Sequence, residues 1–552
     1  MKFLYSLAPN SFKNIGNFLK SFPNKIYSVE IKIKSRSNDQ ASSSNTKIDL
    51  DEDITLEHKQ SIFDQISRQP ILKQHNDLSS STINTQQEKK SDLSQQQIID
   101  NVNGIAKSLE KFGNKTSLSS LISLNLILKQ LVQLLQRYPE VSSYAIRQRI
   151  HSKLLRIRDK TDSFYNLVNA EKGNATKNQI KMNYKKILNE NSRQILSMFG
   201  HADQPKGRGI RVLSIDGGGT KGLTSIEILR QIEQQHGKPI HEIFDLICGV
   251  STGAIIAMLL GALRISIDEC ESYYRQVSSY LFKTDVLRGT SRLLWTHAYY
   301  DTAIFEKVLK ETYGERVMIH SKRDKDCPYI VVISAIVNMP TLEPYLFRNY
   351  DLHPSSKPLS YFQGGSSHKI WEAVRASSAA PGFFEEFTLN KHVHQDGGIL
   401  INNPTAVAVH EAKLLWPKEE IQCVVSLGSG RHIPPHLNKY PDDCIESDVS
   451  LSSLKHKITR LIDSATDTEM IHRLMQDMMP NDVYYRFNPT LTDPSSIDEN
   501  RSEKLQQLSY DAQMYLRKNG HKFSKALEQL SLKRRRKQIC MDYLNHKYQI
   551  YF

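Results

Sequence analysis

The sequence predicts an α/β protein in which helices flank a mainly parallel central sheet, with a helical region before this domain and a helical tail after it. Two observations support the prediction. Strand-like apolar runs alternate with helical patterns between about Arg208 and about Gly430, as in βαβ units. The run Tyr329–Val337 (YIVVISAIV) is apolar throughout and rich in β-branched residues, which is typical of a strand covered on both faces.

The elements of this domain follow from local patterns along the chain. The pattern predicts a first strand at Ile210–Ile215, followed by a glycine cluster. A helix is predicted at Leu223–Gln235, and Gly237 ends it. Further strands are predicted at Phe244–Val250 and Cys423–Leu427. We therefore place the domain at residues 208–430.

The first hundred residues differ in composition from the rest. Residues 1–36 contain seven lysines and arginines against one acid, Glu30. Both a mitochondrial transit peptide and a disordered basic tail have this composition. Residues 37–100 are rich in Ser, Gln, Asn and Asp. They have too little apolar surface to offset chain entropy, so we expect a disordered linker.

Helical regions are predicted on both sides of the domain. Within residues 101–207, leucines recur at helical spacing over Ser117–Arg137. A second helix, around residues 146–158, has an apolar side and a basic side. It either packs on the domain, which we favour, or lies on a membrane surface. Residues 431–552 form a mainly helical region that includes the basic run Lys533–Lys537.

Charge and cysteine usage limit the classes of partner. The 552-residue chain has a formal net charge of +14, which favours an anionic partner. Zinc-finger spacing, RNP-like aromatic motifs and a basic heptad region are missing, so we expect no nucleic acid. We expect instead an intracellular protein at an acidic membrane surface, although a merely soluble basic protein would carry the same charge. The six cysteines form no CxxC pair or Cys/His cluster. The cysteines therefore favour a reducing compartment over a zinc site or a disulfide framework. We expect neither metal nor cofactor.

One uncharged stretch, Leu246–Leu263, is long enough for a hydropathy window to suggest a membrane span. We reject that interpretation because the stretch contains a Gly-Val-Ser-Thr-Gly turn. A buried strand followed by a turn and a buried helix is also free of charges.

That turn, Gly249–Gly253, is a G-x-S-x-G sequence directly after a predicted strand and before a predicted helix. A sharp strand-to-helix turn raises the Ser251 hydroxyl above the sheet at a helix N-terminus. Flanking side chains would clash in such a turn, which explains Gly249 and Gly253. The motif alone also fits a glycine-rich turn with a helix-capping serine.

A glycine-rich loop, Asp216–Gly222 (DGGGTKG), follows the first predicted strand. Successive glycines allow backbone N–H groups to converge on one anion. A dinucleotide fingerprint would use Gly217, Gly219 and Gly222. The carboxylate of Asp216 argues against it, because it would repel a pyrophosphate.

Two other interpretations of this loop remain. One is the phosphate loop of sugar kinases and actin-like ATPases, in which DGGGT sequences also occur. The other is an oxyanion hole, in which the amides of Gly217, Gly218 and Gly219 face the tetrahedral intermediate of an ester. In the second case Lys221 lies near a substrate phosphate or caps the loop.

A third motif, Gln395-Asp396-Gly397-Gly398, follows much later in the chain. A lone Asp-Gly-Gly is usually a turn. The order of glycine loop, serine turn and Asp-Gly changes that balance and singles out Asp396 as a candidate base.

Together these motifs resemble the patatin-like phospholipase family, and within it the calcium-independent phospholipase A2 gamma branch. Further matching segments are Arg375–Phe383 (RASSAAPGF) and Asn402–Pro404 (NNP). The resemblance covers roughly residues 208–416. It implies a three-layer domain that hydrolyses acyl esters of membrane glycerophospholipids to fatty acid and lysophospholipid without calcium.

The resemblance also implies that Asp396 accepts the Ser251 proton directly, as a dyad, with an acyl-enzyme intermediate. A Ser-His-Asp arrangement stays open, because His394 precedes Asp396 by two residues and His410 is nearby. Two other functions stay open as well. They are an actin-like sugar kinase and an inactive membrane scaffold that kept the fold.

Overall fold

The computed structural model describes residues 118–137, 175–282, 298–353, 360–432 and 468–551, with isolated positions between 100 and 159 and at 293. The expectations for residues 1–36 and, apart from Asp100, for residues 37–100 lie outside the described residues. The described residues belong to one compact unit.

A nine-stranded sheet, counted over the described residues, forms the centre of this unit. The strands in chain order are β1 Ile210–Ile215, β2 Leu246–Val250, β3 Tyr329–Ile336, β4 Glu343–Arg348, β5 Gln363–Gly365, β6 Phe387–Leu389, β7 His392–Asp396, β8 Ile421–Leu427 and β9 Tyr484–Phe487. Their order across the sheet is β5-β4-β3-β2-β1-β8-β9, with β7 beside β3 and β6 beside β7. Neighbouring strands along β3-β2-β1-β8-β9 pair in parallel, whereas β4 and β7 run antiparallel to β3.

Helices lie between these strands and at both ends of the unit. Those before β3 are α1 Leu118–Arg137, α2 Ala175–Met198, α3 Leu223–His236, α4 Ile240–Ile243, α5 Thr252–Ala257, α6 Ile267–Leu281 and α7 Thr302–Tyr313. Those after it are α8 Ile370–Ser377, α9 Gly398–Ile401, α10 Thr405–Leu415, α11 Thr468–Met478, α12 Ser502–Lys518, α13 Gly520–Ser531 and α14 Arg536–Tyr551. Short 3-10 segments lie at Gly219–Gly222 and Met318–Arg323, and α5 continues as a π-helical turn, Met258–Leu263. The predicted α/β class with a mainly parallel sheet is confirmed.

The central strands form the core. Every residue of β1, β2 and β3 is buried, as expected for parallel strands covered on both faces. A buried ion pair ties β4 to α10: Arg348 donates to both carboxylate oxygens of Glu411 at 2.8 Å. The hydroxyl of Tyr350 also donates to Glu411, at 2.8 Å. These bonds satisfy a carboxylate that is completely buried.

The sheet continues beyond the domain boundary placed at residue 430. Val424–Leu427 of β8 pairs in parallel with Tyr484–Phe487 of β9. Four residues (YYRF) within a helical region give little periodicity, so the sequence pattern did not indicate this strand. Pairing with β9 satisfies the backbone groups that β8 would otherwise leave open at the sheet edge.

The region before β1 packs against this domain. Leu128 and Leu131 of α1 are completely buried, and α1 packs on α2. In the second predicted helix, Ile150 and Leu154 are completely buried, which agrees with packing on protein. The uncharged stretch Leu246–Leu263 contains β2, a turn, α5 and the π-helical turn. None of the helices in the described ranges has both the length and the apolar character that crossing a bilayer requires.

β3 places two distant segments next to each other. Its residue Ile333 pairs with Val250, the last residue of β2. The next residue, Ser334, pairs with Asp396 of β7. β2 and β7 therefore pair with the same side of β3, and β7 begins to pair where β2 ends. This arrangement places Asp396 beside Ser251, the residue that follows Val250.

The chain turns sharply at that residue, Ser251. Its φ of 53° and ψ of −119° are strained for a residue with a side chain. A Cβ on Gly249 would lie 2.2 Å from the carbonyl oxygen of Gly253, and a Cβ on Gly253 would lie 2.2 Å from that of Ile215. Only glycine fits at both positions, so the turn dictates the two outer glycines of the motif.

Replacing Ser251 by glycine and by alanine tests this strain, because both substitutions remove the hydroxyl. We expect Ser251→Gly to be more stable than Ser251→Ala by about 1 kcal/mol. The relief of about 1–3 kcal/mol of strain exceeds the roughly 0.5–1 kcal/mol of extra chain entropy that glycine loses. Urea unfolding followed by tryptophan fluorescence measures the difference.

The same pair of substitutions at Ser272, inside α6, is the control. There alanine is expected to be the more stable variant, because glycine is unfavourable in a helix. An alanine variant at residue 251 that equals or exceeds the glycine variant would contradict the strained turn.

Candidate active site

The turn after β2 brings a hydroxyl and a carboxylate into direct contact. Ser251 Oγ donates a hydrogen bond to Asp396 Oδ2 at 2.6 Å. The two residues are far apart in the chain, and β3 brings them together through its successive pairing with β2 and β7. The hydroxyl that the first motif indicated and the carboxylate that the third indicated therefore meet.

Asp396 is held in place and is buried. Its other oxygen, Oδ1, accepts the backbone N–H of Gly398 at 2.8 Å, and its own N–H donates to Ala379 O at 3.0 Å. Burial raises the pKa of Asp396 to about 6, although the bonds from Ser251 and Gly398 favour the ionised form. A carboxylate of this basicity is a better proton acceptor than an exposed aspartate.

A second serine, Ser377, fixes the Ser251 turn. The backbone N–H of Ser251 donates to Ser377 Oγ at 2.9 Å, and Ser377 Oγ donates to Ile333 O at 2.6 Å. The N–H of Gly397 in turn donates to Ser377 O at 3.3 Å. Ser377 thus links β3, the Ser251 turn and the Asp396 loop. A Cβ on Gly397 would lie 2.3 Å from Ile333 O, so this contact also requires glycine.

The glycine loop lies against the Ser251 turn. A Cβ on Gly217 would lie 3.1 Å from Ser251 Cβ and 2.6 Å from Asn402 Oδ1. The Gly217 amide donates to Asn402 O at 3.4 Å. The amides of Gly218 and Gly219, in contrast, have no hydrogen-bond acceptor within the described part of the chain. Both residues line the same cavity as Ser251, so these two amides are open to a ligand.

Further contacts shape this loop. The carbonyl of Gly219 accepts hydrogen bonds from Thr252 Oγ1 at 2.9 Å and from the Tyr274 hydroxyl. A Cβ on Gly222 would lie 2.8 Å from both of those side chains. The Gly219 carbonyl thus points into the protein, so the amide side of the loop faces the cavity. Lys221 also lines the cavity.

The carboxylate of Asp216, at the start of this loop, is paired with an arginine. Arg486 of β9 donates to Asp216 Oδ1 at 2.9 Å and to Oδ2 at 2.6 Å, and both side chains are almost fully buried. Arg486 also donates to Ser426 Oγ at 2.9 Å. The ion pair balances the negative charge at the start of the loop and anchors the loop to the sheet.

The cavity at Ser251 has a volume of about 800 Å³ and two kinds of lining. Its apolar residues include Ile255, Val277, Leu281, Phe282, Phe305 and Phe384. Its polar residues include Lys221, Ser429, Arg431, His432, Glu469 and Asn488. Within the apolar set, Phe384 contacts the rings of Phe282 and Phe305. Within the polar set, Glu469 accepts from Asn488 at 3.0 Å and pairs with Arg431 at 3.4 Å.

The candidate histidines lie apart from this contact. His394 is almost fully buried, and its Nδ1 lies 2.9 Å from Ser334 Oγ, whereas the Ser251 hydroxyl donates to Asp396. Burial lowers the pKa of His394 to about 4, with His392 and His368 adding to the effect. His410 stacks edge-on against Phe362. In the described ranges, no group of His, Cys, Asp and Glu side chains is arranged to hold a metal ion.

Three residues of the site were not assigned a role from the sequence. Ser377 and Asn402 belong to segments that resembled the family, but nothing in their spacing showed which backbone groups they contact. Arg486 lies in the strand that the pattern did not reveal. Its partnership with Asp216 depends on β9 pairing with β8, which no local signal indicates.

Comparisons with known proteins agree with the resemblance seen in the sequence. The model of the family described as patatin-like phospholipase matches residues 213–409. Calcium-independent phospholipase A2-gamma of Oryctolagus cuniculus is 40% identical over 418 residues, which cover 76% of this chain and 49% of that protein. Phospholipase A I of Arabidopsis thaliana is 30% identical over 404 residues, which cover 63% of this chain and 29% of that protein.

The chain thus spans about half the length of the phospholipase A2-gamma relative. The solved structure of VipD from Legionella pneumophila overlaps with a TM-score of 0.27 and 12% identity, covering 58% of this chain and 70% of that chain. The chain contains a patatin-like phospholipase domain at residues 213–409, which holds the glycine loop, the Ser251 turn and Asp396.

Proposed function

We propose that this protein is a calcium-independent phospholipase A that hydrolyses fatty acyl esters of membrane glycerophospholipids through a Ser251–Asp396 dyad. The observation that carries the proposal is the 2.6 Å hydrogen bond between these side chains at a cavity with an apolar and a polar lining. The printed names of the relatives, phospholipases of the A2 and A types, support the same class of reaction.

In the proposed first step, Ser251 Oγ attacks the ester carbonyl while Asp396 Oδ2 accepts its proton. A new bond forms between Oγ and the acyl carbon, and the carbonyl electrons move onto oxygen. The carbon–oxygen bond to the lipid glycerol then breaks, and Asp396 returns the proton to that leaving oxygen. The products of this step are an acyl-enzyme and a lysophospholipid.

The developing oxyanion needs hydrogen-bond donors. We assign this role to the amides of Gly218 and Gly219, because neither has an acceptor among the described residues and both line the cavity. The Gly217 amide already donates to Asn402 O, so its part in the predicted trio is steric: it allows the loop to approach Ser251. Each donor of this kind contributes about 3–4 kcal/mol to related acyl transfers.

Hydrolysis of the acyl-enzyme completes the cycle. A water molecule gives a proton to Asp396 and attacks the acyl carbon, after which the bond to Ser251 Oγ breaks and the serine regains a proton. One water is consumed, and one fatty acid leaves. All proton transfers use the one carboxylate, whose raised pKa suits both directions of transfer.

The lining of the cavity fits a lipid with a charged head group. The aromatic and aliphatic residues from α6, α7 and the segment around Phe384 offer an apolar surface for an acyl chain. Lys221 and Arg431 offer positive charge for a phosphate. The sugar-kinase alternative lacks comparable support, because Arg486 already binds the carboxylate of the glycine loop.

The central experiment uses phosphatidylcholine vesicles labelled differently on the two acyl chains, incubated with the full chain in the presence of a calcium chelator. Wild type is expected to release one labelled fatty acid. Ser251→Ala is expected to lose turnover almost completely, and Asp396→Asn to lose about 10⁴-fold, because the hydroxyl then has no base. Quantifying each label by chromatography gives both rate and regiochemistry.

His394→Ala is the matched control within β7. It keeps the dyad hydrogen bond, so its turnover is expected to stay within a few-fold of wild type. If His394→Ala abolished hydrolysis in a folded protein, a triad would replace the dyad. Unchanged turnover in Ser251→Ala would remove the proposed function itself.

The pH dependence offers a second test. Asp396 must be ionised to accept the Ser251 proton, and its pKa is raised to about 6 from 3.8 by burial. We expect kcat/KM for a soluble short-chain ester to be half-maximal near pH 6 and to fall about tenfold per pH unit below it. A base with the ordinary value would keep the rate flat down to about pH 4. Circular dichroism over the same range checks that the fold persists, and a flat profile would contradict the buried base.

We also propose that the protein binds the phospholipid membrane surface beside this cavity. Three large apolar residues of α11, Met470, Leu474 and Met478, are spaced four apart and are 50–78% exposed. The preceding residues Thr468 and Glu469 line the cavity. An apolar stripe that begins at the cavity rim would enter the lipid surface next to the substrate entrance.

Leu474→Asp tests this contact. Losing one buried leucine costs about 1.5–3 kcal/mol, so binding to phosphatidylcholine vesicles in co-sedimentation is expected to weaken about tenfold or more. Hydrolysis of a soluble short-chain ester is expected to stay unchanged. The control is Leu544→Asp on α14, a leucine of similar exposure. Equal vesicle binding by both variants would show that α11 does not contact the lipid.

A further inference from the structure

A second cavity lies at the amino-terminal ends of the central strands, whereas Ser251 lies at their carboxyl-terminal ends. It also has a volume of about 800 Å³, and its lining includes Arg211 at the start of β1, Asp245 just before β2 and Tyr329 at the start of β3. Arg193 of α2 and the segment 530–534 complete it. The cavity therefore joins the amino-terminal edge of the sheet to the helices before and after the domain.

Its lining is rich in positive charge. Nine lysines and arginines face five aspartates and glutamates. Within the described residues, four of these lysines have no carboxylate within salt-bridge distance: Lys206, Lys322, Lys325 and Lys533. The arginines, in contrast, are paired with acids. The excess charge of the cavity is therefore carried by ammonium groups.

Lys322 is the most constrained of these lysines. Its side chain is almost fully buried, and its ammonium donates to Cys327 O at 2.8 Å. The same group lies 3.8 Å from the centre of the Tyr329 ring. A carbonyl and an aromatic face compensate a buried cation only in part. In keeping with this, burial lowers the pKa of Lys322.

Lys206 is in a similar position at the same cavity. Although its stem is exposed, its ammonium donates to His241 O at 2.5 Å and to Phe244 O at 3.0 Å. Burial lowers the pKa of Lys206 to about 8; the charge of Asp245 opposes this shift, and the charges of Lys322 and Arg211 add to it. These cations repel one another across the cavity.

The neighbouring carboxylates are already engaged. Asp245 accepts the backbone N–H of Lys206 at 2.7 Å and that of Arg211 at 2.8 Å. Asp203 accepts from Arg158 at 2.7 Å. The Arg211 Nε atom, in a side chain that is more than nine-tenths buried, has no hydrogen-bond partner in the described structure and lies 3.6 Å from Asp245. Donors therefore remain in excess.

We propose that this cavity binds a phosphate-bearing anion, held by Lys206, Lys322 and Arg211. A phosphate group brings about two negative charges and several acceptor oxygens, which offset the excess of cations and donors. The ligand is either a soluble phosphate compound or the phosphate head group of an acidic lipid, because both present the same chemistry. This binding site is separate from Ser251 and does not depend on the proposed hydrolysis.

The first test is the binding of inorganic phosphate to the full chain by isothermal titration calorimetry, at ionic strength kept constant with chloride. Lys322→Gln and Lys206→Gln are each expected to weaken the apparent Kd about tenfold, as for the loss of one charge-assisted hydrogen bond. Lys413→Gln, which removes the charge of an exposed lysine on α10 outside both cavities, is expected to keep the wild-type value.

The second test distinguishes the source of the phosphate. Phosphatidylcholine vesicles containing phosphatidic acid are compared with vesicles containing phosphatidylserine, using Ser251→Ala as the background so that the lipid stays intact. Binding that prefers phosphatidic acid and is weakened by Lys206→Gln assigns the site to a lipid head group. Binding of inorganic phosphate without that preference assigns it to a soluble compound.

The proposal fails if neither probe binds, or if Lys322→Gln and Lys206→Gln both bind like wild type. If Lys322→Gln does not fold, Lys206→Gln decides the result, since its stem is exposed. Phosphate binding that is lost in Lys413→Gln to the same degree would reveal general charge attraction and would also overturn the site.

Discussion

The contact between Ser251 and Asp396 depends on the way β3 changes partner. β3 pairs with β2 up to Ile333 and with β7 from Ser334 onward on the same side. The parallel strand β2 must end for the antiparallel strand β7 to begin, and the turn at the end of β2 is where the hydroxyl lies. One strand thus sets the position of both the hydroxyl and the carboxylate, so a register shift of one residue in β3 would turn Asp396 to the other face of the sheet.

The surroundings of this contact leave the carboxylate with little compensation. Asp396 accepts from Ser251 and from the Gly398 amide, but no cation in the described part of the chain contributes to its pKa, which burial raises. The other aspartate of the motifs, Asp216, is equally buried but forms two hydrogen bonds with Arg486. Burial raises the pKa of Asp216 to about 6 as well, so the two carboxylates differ in their partners and not in their basicity. The ion pair fits an anchoring role for Asp216, and the contact with the Ser251 hydroxyl fits a proton-accepting role for Asp396.

Much of the fold and of the candidate site could be predicted from the sequence because the signals were local. β1 matches the predicted range, and the glycines around Ser251 are required by contacts within the turn itself. Features that depend on distant pairing could not be predicted. The strand β9, the ion pair of Arg486 and the bond from Ser251 N–H to Ser377 Oγ arise from tertiary contacts between segments that carry no periodic pattern of their own.

The two cavities lie at opposite ends of the same strands, and this separation limits how one could affect the other. β1 runs from Ile210 to Ile215, a length of about 20 Å at roughly 3.3 Å per residue. At that distance two unit charges interact by only about 0.8 kcal/mol at an effective dielectric constant of about 20, so a charge bound near Arg211 would act weakly on Asp396 through space. Any coupling would instead pass through packing. The basic cavity contacts the helices before β1 and the segment after α13, so an anion there would first hold these flanking regions against the sheet that positions Ser251.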